Sequence, residues 1–291
     1  MKLLLDKALS DLGDGASLTE IAFFGGSFTA IDRKYMLSLL DAAKPYLRYF
    51  YGIRISTRPD YIDDDVLDIL KSYGVSAVEL GAQSMDNSVL ELNERGHTAE
   101  DVHNASLRIK EYGFSLGLQM MTGLYGSTFE KDIDTARSFI DIRPDTVRVY
   151  PTVIMKDTAL AERYLSGEYK PYTLERSVDL CSKLILMFAK ADINLIRLGL
   201  HYSDSLKENN LYDNYHPAFK ELCENKIFYD SFLSQARDLN NKDLYVCIHP
   251  RSLSKFLGQK KCNLKKLEAL GYRLNIEFDD RLGKYDLNIR G

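Results

Sequence analysis

The sequence has no long hydrophobic run and few cysteines. No apolar stretch reaches the roughly 18 residues that a membrane-spanning helix needs, and the opening segment, MKLLLDKALSDLGDG, carries acids where a secretory signal would be apolar. The cysteines are too scattered for a disulfide framework, and no two have the spacing of a metal-ligand pair. They are Cys181, Cys223, Cys247 and Cys262. These absences argue against a membrane-spanning protein and a disulfide scaffold, and they predict a cytoplasmic protein without metal ligands of its own.

An excess of charge of either sign is also missing. The chain has 38 lysines and arginines against 42 aspartates and glutamates, for a net charge of -4, so no overall field draws the molecule to nucleic acid. A local basic patch is still compatible with this balance. With 291 residues, 45% of them hydrophobic, the composition is that of a globular protein with a sizeable core. The length allows one large domain with a small one, or two ordinary domains.

Between residues 20 and 200, short apolar runs alternate with amphipathic stretches. This alternation is typical of repeated strand–helix units around a parallel sheet. The predicted strands are 21–26, 52–59, 77–84, 115–124, 146–151 and 194–200. Asp63, Asp64 and Asp65, and further on Ser127 and Thr128, carry oxygens that suit the free amides of a helix start. We therefore expect helices to begin at these two places.

Polar side chains near the ends of the predicted strands mark the expected functional edge. In a parallel barrel or an open α/β sheet, ligands bind at the carboxyl ends of the strands because loops and helix starts converge there. The polar residues are Ser27, Ser56, Thr57, Arg58, Glu79, Gln83, Gln119, Arg148 and Arg197. For any single member, a structural role inside the barrel is an equal alternative, so the prediction depends on the whole set.

Two segments combine glycines or charges with a strand end. In FFGGSF, at 23–28, a strand runs into two glycines that let a ligand approach the backbone, although a plain tight turn explains such a pair as well. The segment ELGAQS, at 79–84, supplies a carboxylate and an amide at a strand end. The segment NERGHT, at 93–98, follows it with a turn that carries cationic donors. Such groups suit a ribose, an amino-acid group, or a carboxylate or phosphate. Arg95 could instead pair with Glu94 or Glu91, and His97 could be structural.

Together these segments resemble the radical S-adenosylmethionine superfamily. Four blocks occur in the order and spacing of that superfamily: GGS at 25–27, ISTRPD at 55–60, ELGAQS at 79–84 and NERGHT at 93–98. Within the superfamily, they most resemble the Elongator catalytic-subunit branch. The resemblance extends over residues 20–200. It implies an α/β fold, a partial (β/α)6 TIM-like barrel missing its first strand. It also implies an enzyme that cleaves S-adenosylmethionine reductively and abstracts hydrogen from its substrate.

The resemblance further implies roles for individual residues. Those that would hold the methionine amino group are Gly25, Gly26 and Ser27. Those that would face the ribose and methionyl part are Glu79 and Gln83. The residues at the reaction side, which are the catalytic candidates, are Arg95 and His97.

Other candidates follow from the same resemblance. Those flanking the adenine are Met121, Gly123 and Tyr150. Further candidates for contacts to the cofactor or substrate are Ser56, Arg58 and Arg197.

One feature of that superfamily is absent from the sequence. Its members hold a 4Fe-4S iron-sulfur cluster through three cysteine thiolates on the loop after the first barrel strand, whereas this chain has no cysteine before Cys181. Cys181 itself falls on an apolar helical face. We therefore expect the chain to be inactive as written, and to need an electron donor only where a cluster is present. It is either an incomplete piece of a longer protein, which we favour, or a natural short homologue.

After about residue 215 the pattern changes to that of a small α+β domain, so domains 1–214 and 215–291 are predicted. Strands at 244–250, 273–279 and 285–291 alternate with helices at 251–258 and 263–270. The segment SKFLGQKKCNL, at 254–264, resembles the helix–loop–helix of a KH-type RNA-binding module, whose G-x-x-G loop clamps the nucleic-acid backbone. Lys261 stands in place of the second glycine. The candidate nucleic-acid-binding residues are Lys255, Lys260, Lys261 and Lys265; a solvated basic surface is an equal alternative.

These resemblances imply a radical enzyme with tRNA as its leading substrate. The Elongator branch also carries an acetyltransferase domain, for which the roughly 75 residues after the barrel are too few. One alternative is a radical enzyme that acts on a porphyrinogen or another small molecule. The other is a non-catalytic RNA-binding or regulatory homologue that keeps the barrel as a scaffold.

Overall fold

The computed structural model describes residues 1–291, except for the side chains of Ser205 and Lys207. The chain divides into two compact units. Unit 1 consists of Met1–Thr152 and Ala191–Arg197, and unit 2 consists of Val153–Lys190 and Leu198–Gly291. This division does not coincide with the predicted boundary between residues 214 and 215, which stays a prediction.

Unit 1 alternates strands with helices, as its sequence predicts. The strands are β1 (Glu20–Phe23), β2 (Gly52–Thr57), β3 (Val75–Gln83), β4 (Ser115–Thr122), β5 (Thr146–Pro151) and β6 (Asn194–Leu198). The helices are α1 (Lys2–Leu12), α2 (Arg33–Ala43), α3 (Asp64–Ser72), α4 (Asn87–Leu92), α5 (Ala99–Glu111) and α6 (Phe129–Ile142). All six predicted strands are confirmed, with ends that differ by a few residues.

These strands form one sheet whose order follows the sequence, from β1 at one edge to β6 at the other. The ladders that join β1 to β5 are parallel. Parallel strands in sequential order, with helices in the connections, have the connectivity of a half-barrel. The predicted α/β partial barrel is therefore confirmed.

The two faces of this sheet differ in polarity. One face consists of fully buried apolar residues, among them Ile53, Ile55, Leu118, Val147 and Val149. Helices α3, α5 and α6 pack on β3 and β4. The residues between the apolar ones carry polar groups and include Arg54, Ser56, Glu79, Gln119 and Arg148. Because successive side chains point to opposite sides of a strand, the sheet has an apolar core face and a second face, here called the polar face.

Side-chain caps determine where helices of unit 1 begin. Asp63 and Thr128 accept hydrogen bonds from backbone amides in the first turns of α3 and α6, at 2.8 and 3.3 Å. Thr98 and Asp101 form a capping box at the start of α5. The helix starts predicted at Asp63 and Thr128 are thus confirmed.

Unit 2 is mostly helical and contains a second, smaller sheet. Its elements are α7 (Ala159–Leu165), α8 (Leu174–Lys190), α9 (Asp204–Asn209), α10 (Phe219–Ala236), β7 (Asp243–Ile248), α11 (Leu253–Leu257), α12 (Cys262–Ala269), β8 (Arg273–Phe278) and β9 (Leu287–Arg290). In the sheet, β7 lies between β8, which is parallel to it, and β9, which is antiparallel. The apolar side of β7 packs in a core with Phe228, Phe232 and Phe256. The predicted small α+β part is confirmed.

Helix α10 is the longest of the described helices, with 18 residues, and the sequence pattern did not predict it. It contacts α8, α11 and β9, so apolar residues are buried on more than one of its sides. Because its apolar residues do not form one stripe, the sequence of such a helix lacks the periodic pattern by which amphipathic helices are predicted. Neither α10 nor any other described helix is both long and apolar enough to cross a bilayer.

Candidate functional site

Glu79 lies in the middle of the polar face, where its side chain is only 1% exposed. Arg54 Nη1 donates a hydrogen bond to Oε1 at 3.3 Å, Gln119 Nε2 donates to Oε2 at 2.8 Å, and Arg148 Nη2 donates to Oε1 at 3.1 Å. Arg148 Nε also lies 2.8 Å from Oε2, although its N–H is not directed at that oxygen. Burial acts to lower the pKa of Arg148, but the hydrogen bond and the charge of Glu79 raise it overall. The carboxylate is thus fixed by donors from three strands.

Gly117 provides the space that the Glu79 side chain occupies. The two residues are paired in the ladder between β3 and β4. A Cβ atom at Gly117 would lie 2.7 Å from Glu79 Cγ and 3.0 Å from Thr146 Oγ1. The absence of a side chain at this position therefore allows the carboxylate to lie flat against β4.

The loop that follows β1 is held at both ends. At its start, the Phe24 ring centroid lies 5.1 Å from the guanidinium carbon of Arg148. At its end, Thr29 Oγ1 lies 2.6 Å from Thr57 Oγ1, at the end of β2. The glycine loop, residues 24–29, is therefore attached at one end to Arg148, which also binds Glu79, and at the other end to the carboxyl end of β2.

Within the glycine loop, the backbone is open. Gly25 has a φ of 114°, which favours glycine. A Cβ atom at Gly26 would meet nothing within 4 Å. Ser27 is partly exposed. A fixed loop whose amides and carbonyls are not screened by side chains can bind a ligand through its backbone.

His97 is buried, with 6% of its surface exposed. Its Nε2 lies 3.1 Å from the carbonyl oxygen of Ala82, and because a carbonyl can only accept, Nε2 carries the proton. Burial lowers the pKa of His97, so the ring is neutral at pH 7. Its Nδ1 is then an acceptor, and it is buried without a hydrogen-bond partner among the described residues. The Nδ1 atom can therefore accept a hydrogen bond from a donor group on a bound ligand.

Arg95 precedes His97 by two residues and is partly buried. Its Nε is buried and has no hydrogen-bond partner among the described residues. Burial lowers the pKa of Arg95, and the nearby charge of Arg58 acts in the same direction. Arginine nevertheless stays protonated at neutral pH. Arg58, by contrast, is paired with Asp60 through Nε at 2.9 Å and Nη2 at 2.6 Å, so Arg95 is the more available cation.

Gln83 ends β3 in a conformation that is rare for its residue type. Its φ is 66°, in the left-handed region, and the ladder to β4 shifts register between Leu80 and Gln83. A non-glycine residue in that region costs on the order of 1 kcal/mol, and strain of this kind clusters at functional sites. The strained residue belongs to the ELGAQS block, so its geometry agrees with a binding role.

The structure brings some of the other candidates together and separates one of them. Met121 and Tyr150, both predicted to flank the adenine, are paired in the ladder between β4 and β5. The Gly123 amide donates to Asp132 Oδ2 at 2.9 Å, which holds the loop after β4. Ser56 Oγ accepts a hydrogen bond from the Gln119 amide at 3.3 Å. Arg197 lies on β6, at the opposite edge of the sheet from the glycine loop.

Sequence reasoning missed Arg54, which contacts both Glu79 and Glu20; its Nε donates to Glu20 Oε2 at 2.6 Å. The available signal was a charged residue between Ile53 and Ile55. In a strand, this pattern places the charge on the face opposite the core.

The cysteines do not fit an iron-sulfur cluster. Cys181 and Cys223 are buried, and burial raises the pKa of the Cys223 thiol, which opposes the thiolate form that iron requires. Cys247 and Cys262 are partly exposed, on β7 and at the start of α12. Among the described residues, no group of three or more His, Cys, Asp or Glu side chains could hold a metal ion.

The candidate nucleic-acid-binding lysines all lie in unit 2. Lys260, Lys261 and Lys265 are exposed around the turn between α11 and α12. Lys255 is less exposed, and its Nζ lies 3.7 Å from Glu224 Oε1.

Curated relatives of the chain act on tRNA or bear the Elongator name. The tRNA uridine(34) acetyltransferase of Methanocaldococcus jannaschii is 31% identical over 196 residues, which are 60% of this chain and 36% of that protein. Elongator complex protein 3 of Saccharomyces cerevisiae is 29% identical over 201 residues, which are 62% of this chain and 37% of that protein. The chain thus spans little more than a third of the length of these relatives.

Two solved structures share the fold. Elp3 from Methanocaldococcus infernus, with an N-terminal deletion (1–46), superposes with a TM-score of 0.64 at 25% identity and covers 76% of this chain and 56% of that chain. Coproporphyrinogen III oxidase from Escherichia coli, described as a radical SAM enzyme, superposes with a TM-score of 0.50 at 20% identity over 66% of this chain and 47% of that chain. The second likeness concerns the fold alone.

Family models agree with these likenesses. The model of the Radical SAM superfamily matches residues 5–139, and that of the Radical SAM C-terminal domain matches residues 144–228. Since the two models together match most of the chain and the half-barrel is shared, this chain belongs to the radical S-adenosylmethionine superfamily, with relatives in its Elp3 branch.

Proposed function

We propose that this chain is the barrel of a radical S-adenosylmethionine enzyme that modifies tRNA, and that its polar face binds the cofactor. One observation carries the proposal: the glycine loop is held at both ends, yet its backbone at Gly26 is open. Backbone carbonyls there can accept hydrogen bonds from the cofactor's amino group because no side chain intervenes. The similarity to the tRNA uridine(34) acetyltransferase of Methanocaldococcus jannaschii supports tRNA as the substrate class.

Other contacts are assigned by what each side chain offers. Arg95 offers an available cation for the cofactor carboxylate or the substrate, and His97 Nδ1 accepts a hydrogen bond from a hydroxyl or amide at the reaction side. Gln83 presents its amide to the ribose. The ladder pair Met121 and Tyr150 flanks the adenine. Glu79 has its carboxylate occupied by protein donors, so it supports the site chiefly by fixing the polar face.

In this superfamily, S-adenosylmethionine supplies radical chemistry when an iron-sulfur cluster reduces it. The described cysteines do not fit that cluster, so no step through it is assigned to these residues, and the electron donor is likewise unassigned. The residues of the polar face bind and orient the cofactor.

The cofactor site is tested by replacing Gly26 with valine. We expect the dissociation constant for S-adenosylmethionine, measured by isothermal titration calorimetry, to rise roughly 30- to 100-fold, since 2 to 3 kcal/mol of backbone hydrogen bonding is lost. The fold itself should tolerate the change because nothing lies within 4 Å of the added Cβ. Gly15→Val is the matched control, since its Cβ also meets nothing within 4 Å; its affinity should equal that of the parent. Equal binding by Gly26→Val would remove the glycine loop from the site.

A second expectation concerns catalysis by the chain as written. After anaerobic treatment with iron and sulfide, the chain should retain no stoichiometric iron, because its described cysteines do not converge. With S-adenosylmethionine and dithionite it should then form no 5′-deoxyadenosine above a blank without protein, as judged by chromatography. Product that appears with the parent chain would show that its residues hold a cluster after all, and its loss in Gly26→Val would then place the cofactor at the glycine loop.

A non-catalytic RNA-binding homologue is the second candidate, because Lys260, Lys261 and Lys265 are exposed around the turn between α11 and α12. Retained tRNA binding without saturable S-adenosylmethionine binding would favour it. No observation favours a porphyrinogen-type substrate, because the likeness to the Escherichia coli oxidase extends only to the fold.

A further inference from the structure

The turn between α11 and α12, residues 258–261, presents two adjacent lysines in a rare backbone conformation; it is called the basic turn below. Lys260 and Lys261 have φ angles of 52° and 59°, in the left-handed region that non-glycine residues seldom adopt. Both side chains are exposed. A Cβ atom at Gly258, which has a φ of 77°, would lie 2.6 Å from Cys262 Sγ and 3.0 Å from the Asn263 amide nitrogen. Only glycine therefore lets the two helices approach this closely.

Asn263 attaches the basic turn to the rest of unit 2. It is 3% exposed, and its Nδ2 donates to the carbonyl oxygen of Asn225 on α10 at 2.8 Å and to that of Phe256 on α11 at 3.0 Å. One side chain thus joins three helices two residues after Lys261. The exposed lysines are held on a fixed scaffold.

Positive charge dominates this part of unit 2. From 251 to 266 the basic residues are Arg251, Lys255, Lys260, Lys261, Lys265 and Lys266, and no acid is present. Lys255 is paired with Glu224, and Lys266 Nζ lies 5.4 Å from the Tyr229 ring centroid. By contrast, no acidic side chain in the described part of the chain pairs with Lys260, Lys261 or Lys265. These three are available to an outside anion.

Strand β8 adds an apolar strip. Its residues Leu274, Ile276 and Phe278 pair with Leu244, Val246 and Ile248 of β7, and paired residues share a face of the sheet. The three β7 residues are fully buried in the core, whereas their β8 partners are less covered, and Phe278 is 55% exposed. Since β8 is an edge strand, this strip lies on the helical side of the sheet at its open margin.

Connectivity places the basic turn and Phe278 toward the same end of the sheet. Helix α11 follows the carboxyl end of β7, and α12 leads into the amino end of β8, which is parallel to β7. Helix α12 must therefore run back along the strands, and its start lies toward their carboxyl ends, where β8 carries Phe278. Cations that can contact phosphates therefore lie toward the same end of the sheet as an aromatic ring on which a base can stack.

We propose that the basic turn, with Lys265 on α12, and the apolar strip of β8 bind single-stranded RNA. The lysines contact phosphates, and Phe278 stacks on a base. Only an unpaired base exposes a face to such a ring, so a single strand is preferred to a duplex. This binding does not depend on S-adenosylmethionine, so it can fail or succeed separately from the proposed reaction.

The test uses the full chain and a fluorescein-labelled single-stranded RNA dodecamer of mixed sequence, with binding followed by fluorescence anisotropy. Lys260→Glu with Lys261→Glu should raise the dissociation constant roughly 50-fold at about 50 mM salt, and should lower the slope of log K against log salt by about 1.4, because each lost single-strand phosphate contact contributes about 0.7. Phe278→Ser should weaken binding about tenfold without changing that slope, since a stacked base contributes about 1–3 kcal/mol.

The matched control is Lys190→Glu with Arg237→Glu, which reverses two exposed charges at the carboxyl ends of α8 and α10. Its affinity should stay within about twofold of the parent. Equal weakening by this control would show that only net charge matters and would overturn the proposal. Equal affinity of the parent for the duplex of the same sequence, or tighter binding of an oligoglutamate peptide, would overturn it as well. Thermal melting by circular dichroism confirms that each variant is folded.

Discussion

Replacing Glu79 by alanine is expected to lower the free energy of unfolding by about 3–5 kcal/mol, the usual cost of removing one partner of a buried ion pair. Arg54 keeps a second carboxylate, Glu20, at 2.6 Å. Among the described residues, Glu79 is the only carboxylate within ion-pair distance of Arg148, so Arg148 loses its partner. Only 18% of the Arg148 side chain is exposed. The variant therefore leaves a largely buried cation without a counter-charge. Urea unfolding followed by circular dichroism measures the loss.

Two further variants separate charge from volume at this position. Glu79→Gln keeps the shape of the side chain and should lose less than Glu79→Ala, because its amide oxygen still accepts a hydrogen bond. Combining Glu79→Ala with Arg148→Met removes the orphaned cation and should recover part of the stability. A loss below about 1 kcal/mol for Glu79→Ala would mean that water screens the pair as it does at a surface.

Replacing Asn263 by aspartate should be nearly as damaging, with an expected loss of about 2–4 kcal/mol. The two side chains differ in one group. The amide nitrogen of asparagine donates to two carbonyl oxygens, whereas the carboxylate of aspartate can only accept hydrogen bonds. Ionised, it would face both oxygens from a site that is 3% exposed. The loss should shrink as the pH falls below the raised pKa of the new carboxyl, because the protonated form can again donate one hydrogen bond.

Asn288→Asp is the matched control for that change, since Asn288 is exposed on β9. Its stability should change by less than about 0.5 kcal/mol. If Asn263→Asp were as stable as this control at neutral pH, the amide would not be what joins α10, α11 and α12.

The six strands could be predicted from the sequence because each follows from a local pattern. The polar face was not predicted, since polar side chains were expected at the carboxyl ends of the strands, whereas Glu79, Gln119 and Arg148 lie within β3, β4 and β5. In β2, Ile53 and Ile55 flank Arg54, a local pattern that places the charge opposite the core, although Arg54 was not among the predicted site residues. Helix starts at Asp63 and Thr128 were equally local, since each cap bonds an amide three residues on.

Contacts between distant residues could not be predicted in the same way. The donors that hold Glu79 come from positions 25, 40 and 69 residues away, so its surroundings depend on strand order and register. The left-handed Gln83 gave no signal, because glycine, asparagine or aspartate is the usual residue there. The contact between α8 and α10 is of the same kind: Ser182 Oγ donates a hydrogen bond to the carbonyl oxygen of Cys223, 41 residues away, at 3.1 Å. The domain boundary at 214/215 stays a prediction.

The close approach of Glu79 to Gly117 also restricts the order in which substitutions can accumulate in this barrel. A side chain at position 117 collides with Glu79 Cγ, near the root of a side chain that is fixed on all sides. Shortening residue 79 first would remove the collision but would leave the arginines without their counter-charge. The two positions are therefore epistatic, because changing either residue is harmful while the other keeps its native identity. Few single substitutions at these positions are then tolerated during evolution.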